Sequence, residues 1–80
     1  MPRYFFHILH PDGTRTPDEE GMELDDVAAA KQEALDSIRD IVTAGARTGT
    51  DVEGIAVEAC YELGGVITTV FATAFSRSQA

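Results

Sequence analysis

Eighty residues with a 44% apolar fraction suit one small packed domain and argue against a disordered chain. Fourteen acids against six bases leave a formal charge of −8, which disfavours nucleic acid and anionic membrane surfaces as partners; the bases (Arg3, Arg15, Lys31, Arg39, Arg47, Arg77) form no run. The one cysteine, Cys60, cannot close an internal disulfide, and the apolar opening is too short for a signal-peptide core or a membrane span, so a cytoplasmic protein held together by its core is expected.

Arg3 to His10 is rich in aromatic and branched side chains and runs into His10-Pro11-Asp12-Gly13, where proline presets φ and glycine accepts a left-handed conformation. This predicts a strand and a hairpin with a short return over Thr14 to Thr16, ended by Pro17, which removes a ladder donor and marks a sheet edge. Met22 to Leu24 can add a few extended residues. Asp25 is the expected N-cap, with Asp26 in the positive first turn of a helix running from about Asp26 to Thr48. At 100° per residue, Val27, Ala30, Ala34, Leu35, Ile38, Ile41 and Val42 form one stripe, with Gln32, Asp36, Arg39, Asp40 and Thr43 opposite. Gly45 falls within the stripe, where a missing side chain would allow close approach to a sheet, and Gly49 is the expected C-cap.

From Ile55 the period becomes two. Ile55, Val57, Ala59 and Tyr61 share one face, and Ala56, Glu58, Cys60 and Glu62 the other. Leu63-Gly64-Gly65 turns this strand into a second one over Val66 to Ala72, and residues from about 76 to 80 are expected to fray. The result is an α+β domain spanning 1–80, ββαββ, with one antiparallel sheet and a long helix on a single face.

That arrangement leaves a surplus of apolar surface. The first strand is apolar on both sides, Tyr4-Phe6-Ile8 and Phe5-His7-Leu9, yet only one side can meet the helix. Phe5, His7 and Leu9 are the expected interaction surface, serving a homodimer or another protein, with a loop or tail folded over them as the alternative. A domain this short hides only about 60% of its unfolded surface, so a partner chain would help to stabilise it.

The opening Pro2-Arg3-Tyr4-Phe5-Phe6-His7, the Pro17-Asp18-Glu19-Glu20-Gly21 loop, Glu23-Leu24 and the helix from Ala28-Ala29 to Glu33-Ala34-Leu35 together resemble a domain-of-unknown-function family of small bacterial proteins. The resemblance spans nearly the whole chain, including a late phenylalanine at Phe71, and implies a fold and a compartment but no activity or catalytic residue. The chain departs from the family pattern at Leu63-Gly64-Gly65, where a more polar turn is expected, and at Leu9, which is more apolar than expected. Asp25 to Leu35 also bears a fainter likeness to HicB-type antitoxin domains, which implies an acidic inhibitor of a basic, RNA-acting partner.

Candidate chemistry is sparse. Six acids between Asp18 and Asp26 raise the question of a hard cation, but their spacing matches no calcium loop, and a solvated loop with a helix cap accounts for them. His7 and His10 leave opposite faces of a strand and cannot share an ion; an interfacial His7 would make assembly pH-dependent. Cys60, between Glu58 and Glu62, sits where negative charge opposes thiolate formation, and no phosphate loop, serine elbow or zinc spacing occurs. The expectation is a non-catalytic cytoplasmic interaction or regulatory module, without cofactor or metal. Its rivals are the antitoxin-like inhibitor and a ligand-binding or catalytic site built at a dimer interface from His7 and the acidic loop.

Overall fold

The computed structural model describes residues 1–76. The chain runs β1 (Arg3–Leu9), β2 (Arg15–Thr16), β3 (Met22–Glu23), α1 (Val27–Thr48), β4 (Ala56–Tyr61), β5 (Val66–Phe71) and α2 (Thr73–Ser76). The sheet is antiparallel throughout, in the order β2-β1-β4-β5, with β3 pairing the other half of β1's outer edge. The α+β arrangement is therefore as expected, with Met22–Glu23 supplying a fifth, very short strand. The expected tail falls on residues 77–80, outside the described residues, apart from Ser76, which closes α2.

Local chemistry sets the turns. After β1, the Asp12 carboxylate accepts from the backbone N–H and hydroxyl of Thr14 and Gly13 takes φ +90°, forming the tight reversal predicted by Pro11-Asp12-Gly13. Between β4 and β5, Tyr61 N–H donates to Gly65 C=O and Gly64 N–H to Tyr61 C=O, closing the Leu63-Gly64-Gly65 turn and leaving Leu63 fully exposed at its tip. One helix boundary differs from expectation. Asp26, not Asp25, caps α1, because it is the Asp26 carboxylate that reaches the Ala29 N–H, at 2.9 Å. At the other end Gly49, at φ +75°, is the C-cap as expected.

The core lies between α1 and the sheet face carrying Val57 and Ala59. Ala34 and Ile38 of α1 meet Val57, Ala59 and Ala72 there, with Phe6, Ile41, Val42, Val52, Ile55, Ile67 and Val70 packed around them. Gly45 is buried in the helix stripe, but its close neighbours are Val52 and the Thr50 carbonyl rather than the sheet. A Cβ at Gly45 would stand 2.5 Å from Val52 Cγ1, so this glycine admits the returning α1–β4 connection. No helix among the described residues is long and apolar enough to cross a membrane.

Candidate functional site on the uncovered sheet face

Strand alternation and register determine what the second face of the sheet displays. Phe5 pairs with Cys60 and Cys60 with Val66; His7 with Glu58 and Glu58 with Thr69; Leu9 with Ala56 and Ala56 with Phe71. These three rows cross β1, β4 and β5 on the side opposite the Val57–Ala59 core, since successive side chains of a strand alternate in direction. The outer rows are apolar and the middle row is polar. Phe5, His7 and Leu9 thus lie together on the face away from α1, as expected. A β-bulge between Ala59 and Cys60 resets the register so that Val66, rather than Ile67, lies beside Cys60.

At the centre of the face Ala56 and Cys60 are buried by their neighbours, whereas Val66 and Phe71 on the outer strand are 56% and 53% exposed. The long helix does not pack on this face: α1 packs on the other side, and the main contacts of α2 are with α1 and β5. Its border on the β1 side is the loop from Pro17 to Gly21. Asp18 N–H donates to His7 Nδ1 at 3.0 Å, while the Asp18 carboxylate accepts from the backbone N–H groups of Phe6, Glu20 and Gly21. The acid occupies the gap between β2 and β3 and satisfies a ladder donor that would otherwise face outward. The Gly21 backbone, at φ +70°, passes so close to Phe5 that a Cβ there would lie 2.9 Å from the ring and 2.8 Å from the Tyr4 carbonyl.

The middle row, together with Cys60 of the row beside it, holds the only mixed cluster of histidine, cysteine and acid among the described residues. One ligand-type atom from each of His7, Glu58 and Cys60 lies within 4.8 Å of the others. The Cys60 thiol donates to Glu58 Oε1 at 3.6 Å, and Arg15 Nη1 approaches the same oxygen at 3.9 Å. Burial, followed by the charge and hydrogen bond of Glu58, pushes the Cys60 thiol above its ordinary pKa, so the isolated group is a poor nucleophile, as its acidic neighbours suggested. His7 Nδ1 accepts from Asp18, which places the proton of a neutral ring on Nε2. His10 lies outside this cluster, with its Nε2 2.7 Å from Thr16 Oγ1.

The acidic segment from Asp18 to Asp26 does not converge. Asp18 serves β1, Glu23 pairs with Arg3 at 3.6 Å, and Asp26 caps α1. Sequence reading named His7 and Cys60 separately but missed Glu58 as the group joining them. Their union depends on the β1–β4 register, for which the sequence carries only the alternation of each strand. Two surface concavities, of about 560 and 570 Å³, lie beside Val42–Val52 and beside Tyr61–Leu63, and neither includes Phe5, His7 or Leu9.

No curated protein and no solved structure matches the chain. The model of one family does, over residues 3–73, taking in the aromatic first strand, the acidic loop, the helix and the closing hairpin. By that match the chain belongs to the family described as Domain of unknown function (DUF6894).

Proposed function

We propose that this protein is a small non-catalytic interaction module that docks through the uncovered face of its sheet, and that its first partner is a second copy of itself. The observation that carries this reading is the pattern of three rows, in which Phe5, Leu9, Val66 and Phe71 flank a polar middle row on a face the long helix does not cover. Val66 and Phe71 stand more than half exposed beside the half-buried Phe5 and Leu9, and apolar surface left in water on one face of a single-layer sheet favours association, because docking removes apolar area at about 25 cal/mol per Å². A second copy suits the surface. Glu58 is the only carboxylate in the three rows, so most of the −8 charge stands elsewhere and does not oppose contact directly.

The sheet edges point the same way. The outer edge of β1 is closed by β2, β3 and the Asp18 carboxylate, but β5 has no strand beyond it among the described residues, and Val66–Phe71 contains neither charge nor proline. Such an edge lacks the devices that discourage pairing with another chain. A cytoplasmic setting fits this reading, because Cys60, central to the face, is a free thiol that a reducing compartment preserves.

Sedimentation or light scattering at micromolar concentrations tests the proposal. The expected result is a dimer that Phe5→Ser with Phe71→Ser converts to a monomer of unchanged far-ultraviolet circular dichroism. A wild-type monomer at every concentration would remove the self-association reading.

A further inference from the structure

We propose that His7, Glu58 and Cys60 form a binding site for one divalent transition metal of intermediate softness, zinc being the type, with an open coordination position facing out of the uncovered sheet face. The three side chains project from adjacent strands in register, Glu58 opposite His7 and Cys60 two residues along the same face, and offer oxygen, nitrogen and sulfur within 4.8 Å of one another. Around a tetrahedral zinc with bonds of about 2.0 to 2.3 Å, donors stand roughly 3.5 Å apart. Side-chain torsions alone can close the difference, leaving the strands in place.

The donor set selects the class of metal. Calcium takes six to eight oxygens and magnesium an octahedral, largely oxygen shell, whereas thiolate with imidazole and a single carboxylate suits zinc or cobalt. Charge also balances. Metal binding drives the thiol proton off Cys60, and thiolate plus carboxylate then neutralise a dication in a half-buried position. In the metal-free chain that proton bridges Cys60 to Glu58, so the ion would take the place of an existing hydrogen bond. Two features of the surroundings oppose loading. Arg15 competes for Glu58 from 3.9 Å, and Asp18 N–H holds His7 Nδ1; the ring must give up that bond whichever nitrogen ligates, because coordination through Nε2 moves the ring proton to Nδ1. Three protein ligands leave the fourth position to water.

Cobalt(II) titration of the metal-free full chain, read by absorption and followed by zinc competition, tests the site. The expected result is one cobalt per chain with a thiolate-to-cobalt charge-transfer band, displaced by one equivalent of zinc. Cys60→Ser should abolish the band, and His7→Gln should weaken binding at least tenfold. Arg15→Gln, at an exposed side chain, should tighten it severalfold. Each variant is compared with wild type by circular dichroism; if Cys60→Ser unfolds, His7→Gln and Glu58→Gln decide. A folded wild-type chain that gives no thiolate band with stoichiometric cobalt would overturn the proposal. So would a band that survives both His7→Gln and Glu58→Gln at undiminished affinity, since it would mark a lone thiol.

Discussion

Asp18 looks in the sequence like one more solvated acid in a run, yet three backbone N–H groups converge on it, one from β1 and two from its own loop. Burial alone would raise its carboxyl pKa, but the N–H groups of Gly21, Phe6 and Glu20, together with the His7 charge, hold it below the ordinary value. A carboxylate with a depressed folded-state pKa stabilises the fold above its unfolded pKa of about 3.9, and that contribution disappears as pH falls through the lower, folded value. Urea unfolding should therefore show a loss of stability below about pH 4 that Asp18→Asn reduces. At neutral pH Asp18→Ala should cost about 1 to 2 kcal/mol, because the Phe6 donor loses its acceptor while the loop donors can turn to water. Gly21→Ala should cost a similar ~1 to 3 kcal/mol, since its φ is positive and the Tyr4 carbonyl leaves no room. A Gly21→Ala melting temperature equal to wild type would contradict the packed course assigned to this loop. The acidic run was legible in the sequence. Its role was not, because the contact from Asp18 to Phe6 crosses twelve residues and depends on where the loop lands against the strand.

At the scale of elements, α1 was the most readable part of the chain, because its apolar stripe recurs with the helical period over six turns and Gly49 stops it. The ambiguity lay at the start, where two consecutive aspartates are chemically equivalent as caps and only the position of the first helical amides separates them. Asp26→Ala should destabilise the protein by about 1 kcal/mol while Asp25→Ala stays within a few tenths, and chemical denaturation of the two variants checks this. Gly45 poses a second question of position. In an open helix Gly→Ala gains nearly 1 kcal/mol, but here the added methyl meets Val52, so Gly45→Ala should destabilise and Val52→Ala should relieve part of that loss. A double-mutant cycle with no coupling between the two sites would contradict the contact. The alternation of β4 was equally plain in the sequence. The β1–β4 register and the bulge at Ala59/Cys60 were not, and these bring Glu58 beside His7 and align Val66 with Cys60. A half-apolar strand specifies which side faces the core more strongly than which neighbour it meets.

Over the whole molecule the decisive asymmetry is between the two faces of one sheet. Five strands and one long helix bury Val57, Ala59 and their neighbours, while the rows of Phe5, His7 and Leu9 lie away from that helix and meet the Pro17 to Gly21 loop only at Phe5 and His7 on their β1 border. The surplus apolar side of β1 was visible in the sequence, since one helix cannot cover both sides of a strand. The contribution of β5, with Val66 and Phe71 completing the outer rows, emerged only with the register. Charge and apolar surface act in opposite senses on association. Two copies, each carrying −8, repel at long range, so dimer affinity should rise as salt is added, because a Debye length of about 10 Å at 0.1 M screens that repulsion without weakening apolar contact. The measurement closest to the central claim is a concentration series of amide NMR spectra on the uniformly labelled chain. The account predicts concentration-dependent shifts gathered on the three rows, at Phe5, His7, Leu9, Ala56, Glu58, Cys60, Val66, Thr69 and Phe71, with the outer helix positions Gln32, Asp36 and Asp40 unmoved. Spectra that do not change with concentration, or shifts gathered on the outer surface of α1, would contradict it.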